Sequence, residues 1–289
     1  MCVYMTVAEP RPASTVVLLR PSATRFEVFL VRRSDSIAFM GGAHVFPGGR
    51  VDPADRIPDA GSLTDGAESS AMRMSDISSA DAIAQHVAAL RELFEEAGVL
   101  LARKNGHIVT IDGDSPNRFT AHRHNLLAGT TSFADVVAAE GLRLALDALT
   151  YFAHWVTPEV EIKRFDTRFF VARAPEGQTP VHDDGETIHS EWLDPAEAVE
   201  RSRREEIALP PPTWTTLGTL ARFDSIDQVV KWAKSKPIPR VQPGFLQRGG
   251  ETLLVYPGDP LYPPIEGFEI PEETRFSLKD RRWRPVKPD

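Results

Sequence analysis

Cysteine is nearly absent: Cys2 is the only one among 289 residues. Internal disulfides and Cys-rich zinc sites are therefore excluded, and a reducing, cytoplasmic setting is expected. No uninterrupted apolar stretch approaches the ~20 residues that span a bilayer, so a soluble chain with no membrane partner is expected. Met1 to Pro12 lacks the basic-then-apolar order of a signal peptide. Positive charge is also short: 33 Lys and Arg face 41 Asp and Glu, a net charge of −8. Such a chain is a poor general nucleic-acid binder, and a small anionic ligand requires a metal cation to screen the repulsion. The G-x4-G-K-[ST] phosphate loop, the G-x-S-x-G elbow and the H-E-x-x-H pair are all missing. What remains, 42% hydrophobic and 26% charged, is an ordinary globular composition, long enough for one large domain or two small ones.

The β-branched run Ser14–Leu19 and the run Phe26–Val31, joined at Pro21-Ser22, predict a hairpin. A glycine-dense loop follows, and Asp52 to about Ser79 reads as an irregular surface insertion. Ile83, Val87, Leu90 and Phe94 recur at helical steps and predict a helix over Asp81–Ala97, with Ser79 or Asp81 as its cap and Gly98 as its left-handed stop. A second helix is expected over Ala134–Leu149. Strands are expected over Tyr151–Thr157, Thr167–Ala172 and Glu191–Leu193, and a helix opens at Asp194-Pro195. Many of the 24 prolines lie beyond Leu209, where helices over Thr213–Phe223 and Ser225–Ala233 and extended segments are expected to wrap the core.

The stretch Arg91-Glu92-Leu93-Phe94-Glu95-Glu96-Ala97-Gly98-Val99 carries the chemistry. On a helix, Glu95 lies about 60° to one side of Glu92 and Glu96 about 40° to the other. The carboxylates so gathered repel one another unless a cation neutralises them, and oxygen-only ligands select a hard ion such as Mg²⁺ or Mn²⁺. Arg91, four residues before Glu95, is placed to hold it. A solvated acidic helix face is the alternative reading of these residues taken alone.

Phe46-Pro47-Gly48-Gly49-Arg50-Val51-Asp52 followed by this helix resembles the signature of the Nudix hydrolases, G-x5-E-x7-R-E-U-x-E-E-x-G-U, where U is a bulky aliphatic residue. Arg91, Glu92, Leu93, Glu95, Glu96, Gly98 and Val99 match its second half position by position. Two departures stand out. Asp55 occupies the first glutamate position, where its shorter side chain puts contact with its usual partner in question, and 35 residues separate it from Arg91 where the pattern has seven. An insertion of that length costs little closure entropy if the loop ends stay fixed. Ala38-Phe39-Met40-Gly41-Gly42-Ala43-His44-Val45-Phe46-Pro47-Gly48-Gly49, Asp52, Ala54, Asp55 and Arg56 resemble the peroxisomal coenzyme A diphosphatase branch. So do His154–Pro158, Arg164–Phe170 and Leu209–Thr213, and the insertion is itself a feature of that branch. The chain ends Lys287-Pro288-Asp289 and not in a Ser-Lys-Leu-type address, so peroxisomal location does not carry over.

The resemblance implies an α/β fold, a mixed sheet between helices, over residues 13–201 with an insertion at about 56–80, and a Pro-rich appendage over 202–289. It implies a metal-dependent diphosphatase acting on a small nucleoside diphosphate linked to a group X, above all CoA or acyl-CoA. Glu92, Glu95, Glu96 and the Gly48 carbonyl would hold Mg²⁺ or Mn²⁺, and Arg91 would orient the glutamates. Glu191 matches a distal glutamate that serves as the base in some relatives, with Glu186 as its rival. Arg33, His44, Arg50 and Arg164 are candidate substrate contacts, each with a plain structural alternative. His122-Arg123-His124 is a weak metal signal, and Trp155 and Trp192 read as core. The appendage and insertion are the expected places for a homodimer contact. Two other readings stay open: a pyrophosphatase of NADH, ADP-ribose, nucleotide sugars or oxidised nucleotides, although the S-Q-P-W-P-F-P-x-S segment of NADH-type relatives is absent, and a non-catalytic sensor or scaffold.

Overall fold

The computed structural model describes residues 7–36, 40–111, 115–183, 185–280 and 282–288. Cys2, Ala38-Phe39 and Asp289, named above, lie outside them. An eight-stranded mixed sheet forms the centre. Its order is Thr187–Leu193, Phe26–Arg33, Arg11–Pro21, Phe165–Arg173, Thr150–Val156 and Arg240–Val241, with His44–Val45 added to the second strand and Gly48–Arg50 to the third. Arg11–Pro21 runs parallel to Phe165–Arg173, with Val16 opposite Phe170, and antiparallel to its hairpin partner, with Leu19 opposite Val28.

Both faces of the sheet are covered, which explains why its strands are nearly continuous apolar runs. Val16, Leu18, Phe29 and Phe170 point into one core, shared with the long helix Ser79–Ala97. Val17, Leu19, Val28 and Phe169 point into the other, shared with helices Pro195–Arg203, Pro211–Leu220 and Ile226–Ser235. The segment over 244–285 forms a separate four-stranded antiparallel sheet, and its Leu254, Tyr256 and Phe276 are buried in that second core. It is therefore part of the fold's interior, whereas the sequence reading made it extended wrapping.

Three other expectations are corrected. Helix Phe133–Ala139 stops at Glu140, Gly141 takes a left-handed φ of 63°, and Arg143–Ala145 is a strand, so Ala134–Leu149 is not one helix. The insertion is not irregular: it holds short helices Ala60–Leu63 and Ala67–Ala71 and the strand Thr64–Asp65. The long helix is capped by Ser78, whose hydroxyl accepts from the Asp81 N–H, one residue before the expected cap. Its left-handed stop at Gly98, with φ 68°, stands as anticipated. No helix among the described residues is long and apolar enough to cross a membrane.

Candidate active site

Ser14 of the central strand fixes the long helix to the sheet: its hydroxyl lies 2.7 Å from the Gln85 carbonyl and 2.6 Å from the Gln85 side-chain oxygen. The short strand Gly48–Arg50 pairs with the same central strand, Gly48 opposite Thr15. Strand and helix thus meet where the two signature halves must join. The Gly48 N–H donates to Glu96 Oε2 at 3.0 Å. A Cβ at Gly49 would run into the Glu92 carboxylate, so the close approach of loop to helix needs glycine there.

Arg91 is the hub. Its Nε and Nη2 donate to the two oxygens of Asp55 at 2.9 and 3.0 Å. Its Nη1 donates to Glu92 at 2.9 Å and to Glu95 at 2.7 Å, and Nη2 also donates to the Arg50 carbonyl at 2.8 Å. All five guanidinium N–H groups are used in this way. Asp55 is only 1% exposed, so the shorter side chain does reach its partner. The 3-10 turn Pro53–Asp55 delivers it, held by the Asp52 N–H donating to Asp55 Oδ2 at 2.7 Å.

Burial dominates the electrostatics of the acids. It pushes Glu92 up to about 7 even against Arg91, with Glu95 adding to the rise. It drives Glu96 well above the usual carboxylate range, Glu92 reinforcing it, and raises Glu95 despite Arg91. Among the described residues no three acidic, histidine or cysteine side chains converge into a ready-made ion cage. Arg91 draws Glu92 and Glu95 one way while Gly48 holds Glu96. The donor set nonetheless fits a hard dication: it consists of carboxylate oxygens withdrawn from water, whose charged forms burial disfavours until a cation compensates them.

These acids line a cleft of about 520 Å³. Arg33, Arg50 and Glu186 also line it, and Arg33 pairs with Glu186 at 2.7 Å. Other expected site residues lie elsewhere. Glu191 is not in the cleft wall; Arg201 holds it at 2.7 Å and His44 Nε2 lies 3.4 Å away. His44 is buried, and burial lowers its pKa to about 4 despite Glu191, so it is a neutral structural side chain. Arg164 is consumed by the fold, donating to the Thr157 and Ala8 carbonyls and to Gln242 Oε1. His122 pairs with Glu140. Trp192 packs on Phe29 as core, whereas Trp155, also buried, lines the cleft. The apolar part of the cleft lining was missed: Pro210–Pro212, Phe245 and Trp283 contribute to it. The proline run and isolated aromatics were the available signal.

Residues 3–220 match the model of the NUDT19 Nudix domain. The chain belongs to the NUDT19 Nudix family. Human acyl-coenzyme A diphosphatase NUDT19 is 31% identical over 283 residues, which cover 84% of this chain and 74% of that protein. The Xenopus laevis protein of the same name is 27% identical over 273 residues, 82% and 72% of the two chains. A crystal structure of a Nudix hydrolase from Alicyclobacillus acidocaldarius superposes with a TM-score of 0.64 at 26% identity, covering 78% of this chain and 97% of its own. As a Nudix hydrolase of the NUDT19 family, the chain is an enzyme, and Nudix hydrolases generally use divalent metal ions.

Proposed function

We propose that this NUDT19-family enzyme hydrolyses the diphosphate of coenzyme A or acyl-CoA, yielding 3′,5′-ADP and 4′-phosphopantetheine or its acylated form. One observation carries the reading: a single cleft is lined both by the signature carboxylates with two arginines and by an apolar wall of prolines and aromatic rings. A charged diphosphate bearing a long uncharged arm has the same division. The relatives' names as acyl-CoA diphosphatases support the choice of X.

Glu92, Glu95 and Glu96, with the Gly48 carbonyl, would hold Mg²⁺ or Mn²⁺. When bound, the ion neutralises phosphate charge and makes water a better nucleophile. Arg91 positions Glu92 and Glu95, and Asp55 positions Arg91. Arg33 and Arg50 take phosphate oxygens, for which guanidinium forks are suited. Glu186 is taken as the base in place of Glu191 because it lines the cleft and Glu191 does not; an arginine pairs with each at 2.7 Å, so ion pairing does not separate them. Glu186 accepts the water proton, the water oxygen bonds to one phosphorus, and the bridging oxygen departs on the other phosphate. We place the enzyme in the cytoplasm, in keeping with its single cysteine, and expect a homodimer.

The test is turnover of CoA, acyl-CoA, NADH, ADP-ribose and nucleoside triphosphates with Mg²⁺ or Mn²⁺, products being separated by chromatography. CoA and acyl-CoA cleavage is expected, with at least about a hundredfold loss in Glu95→Gln/Glu96→Gln at unchanged folding. Cleavage of NADH or ADP-ribose with CoA untouched refutes the substrate. Full activity in the double variant refutes the site.

A further inference from the structure

The apolar lining of the cleft comes from chain segments separate from those that supply its acids. Phe245 and Leu254 sit opposite one another on adjacent strands of the C-terminal sheet, and Trp283 lies on its last strand. All three line the cleft, together with Phe165 and Pro158 from the main sheet and the loop before it. Phe245, Trp283 and Phe165 are only partly buried, so their rings offer apolar surface to an occupant. The one charged cleft-lining group from these segments is Glu161. An anion there repels phosphate, and Arg33 and Arg50 both stand on segments that border the acids. Along this part of the lining the 3′-phosphate-bearing half of CoA therefore meets no counter-charge, whereas a hydrocarbon chain needs none. The loop carrying Pro158 and Glu161 also exposes Val160 and Ile162, 52% and 91% accessible, which adds aliphatic surface beside the same wall.

We infer that the C-terminal sheet, through Phe245, Leu254 and Trp283, is the seat of the substrate's acyl chain and sets the enzyme's chain-length preference. The inference rests on the acyl-CoA reading above and adds the part of the molecule that reads the acyl group. Each methylene withdrawn from water favours binding by about fourfold, so a seated chain makes kcat/KM rise with length until the wall is filled.

The experiment measures kcat/KM of the full-length enzyme with Mg²⁺ on CoA and on acetyl-, hexanoyl- and dodecanoyl-CoA, for wild type, Phe245→Ala and Trp283→Ala. Thermal melting accompanies each, and Phe245→Leu and Trp283→Phe provide conservative counterparts. The dodecanoyl-to-acetyl ratio is expected to fall about tenfold in each alanine variant and to return most of the way in the conservative ones. If an alanine variant does not fold, the ratios of the conservative pair decide, with a fall of about twofold expected for the smaller rings and side chains. Equal losses on every substrate, an unchanged ratio, or a wild type indifferent to chain length would each overturn the seat while leaving CoA cleavage intact. A wild type that cleaves neither CoA nor any acyl-CoA overturns the functional reading itself, and the two failures are thereby distinct.

Discussion

Asp55 shows how one side chain governs the site without facing the cleft. It is a methylene shorter than the glutamate of the family pattern, yet the turn Pro53–Asp55 sets it against Arg91 and buries it. Burial alone would lower the Arg91 pKa, and Asp55, Glu92 and Glu95 together raise it well above the usual arginine range. Asp55→Asn leaves that guanidinium buried with less opposing charge. The expected cost is on the order of 3 kcal/mol of unfolding free energy, read from urea melts, and a loss below about 1 kcal/mol would show that the pair is not holding the loop ends. The glutamates, Arg91 and the glycines were legible because their spacing is dictated by helix geometry and close backbone approach. Glu191, His44 and Arg164 lie outside the cleft lining, a placement the sequence does not carry, because sequence distance says nothing of which neighbour captures a side chain: Arg201, the core and three carbonyl or amide oxygens did so.

At the level of elements, the long helix was legible from its apolar stripe, since Val87, Leu90 and Phe94 are all buried. Gly141 and the Arg143–Ala145 strand were not, because Val136, Val137, Leu142, Leu144 and Leu146 are buried whether the backbone coils or extends, and burial alone imposes no period. The long helix also carries a pH-sensitive seat. His86, buried against Phe170, donates from Nδ1 to the Ala82 carbonyl at 2.8 Å, and burial lowers its pKa from 6.5 to about 4 despite that bond. The unfolded chain therefore binds the extra proton between these values, so this helix's docking is stable above 6.5 and weakens as pH falls toward 4. The raised glutamates work in the opposite direction, so the comparison must be with His86→Leu. The stability difference between wild type and variant should shift against wild type by up to about 1.4 kcal/mol per pH unit over that window. A difference that is flat with pH would mean the imidazole is not neutral in the fold.

For the whole molecule, the family match stops at residue 220 but the core does not. Val229, Val241, Leu254, Tyr256 and Phe276 bury against Phe152, Trp155, Phe169 and Val171 of the sheet. Insertion and C-terminal region are also tied directly: Arg73 donates to the Ala233, Lys234 and Lys236 carbonyls at the end of helix Ile226–Ser235. A chain ended at residue 220 should lose its near-ultraviolet circular dichroism, bind anilinonaphthalene sulfonate and aggregate. A monodisperse, cooperatively melting fragment would disprove this dependence. The appendage was underestimated because its prolines and short strands carry little periodicity, and their burial depends on a sheet assembled far away in sequence.

The groove's carboxylates and its aromatic lining come from distant stretches of the polypeptide, the helix that ends at Ala97 and the strands between residues 244 and 285. During translation, the ribosome releases the first long before the second. A nascent chain therefore carries the signature glutamates through most of its synthesis without the C-terminal strands that complete the second core, and the apolar surface left uncovered is open to chaperones.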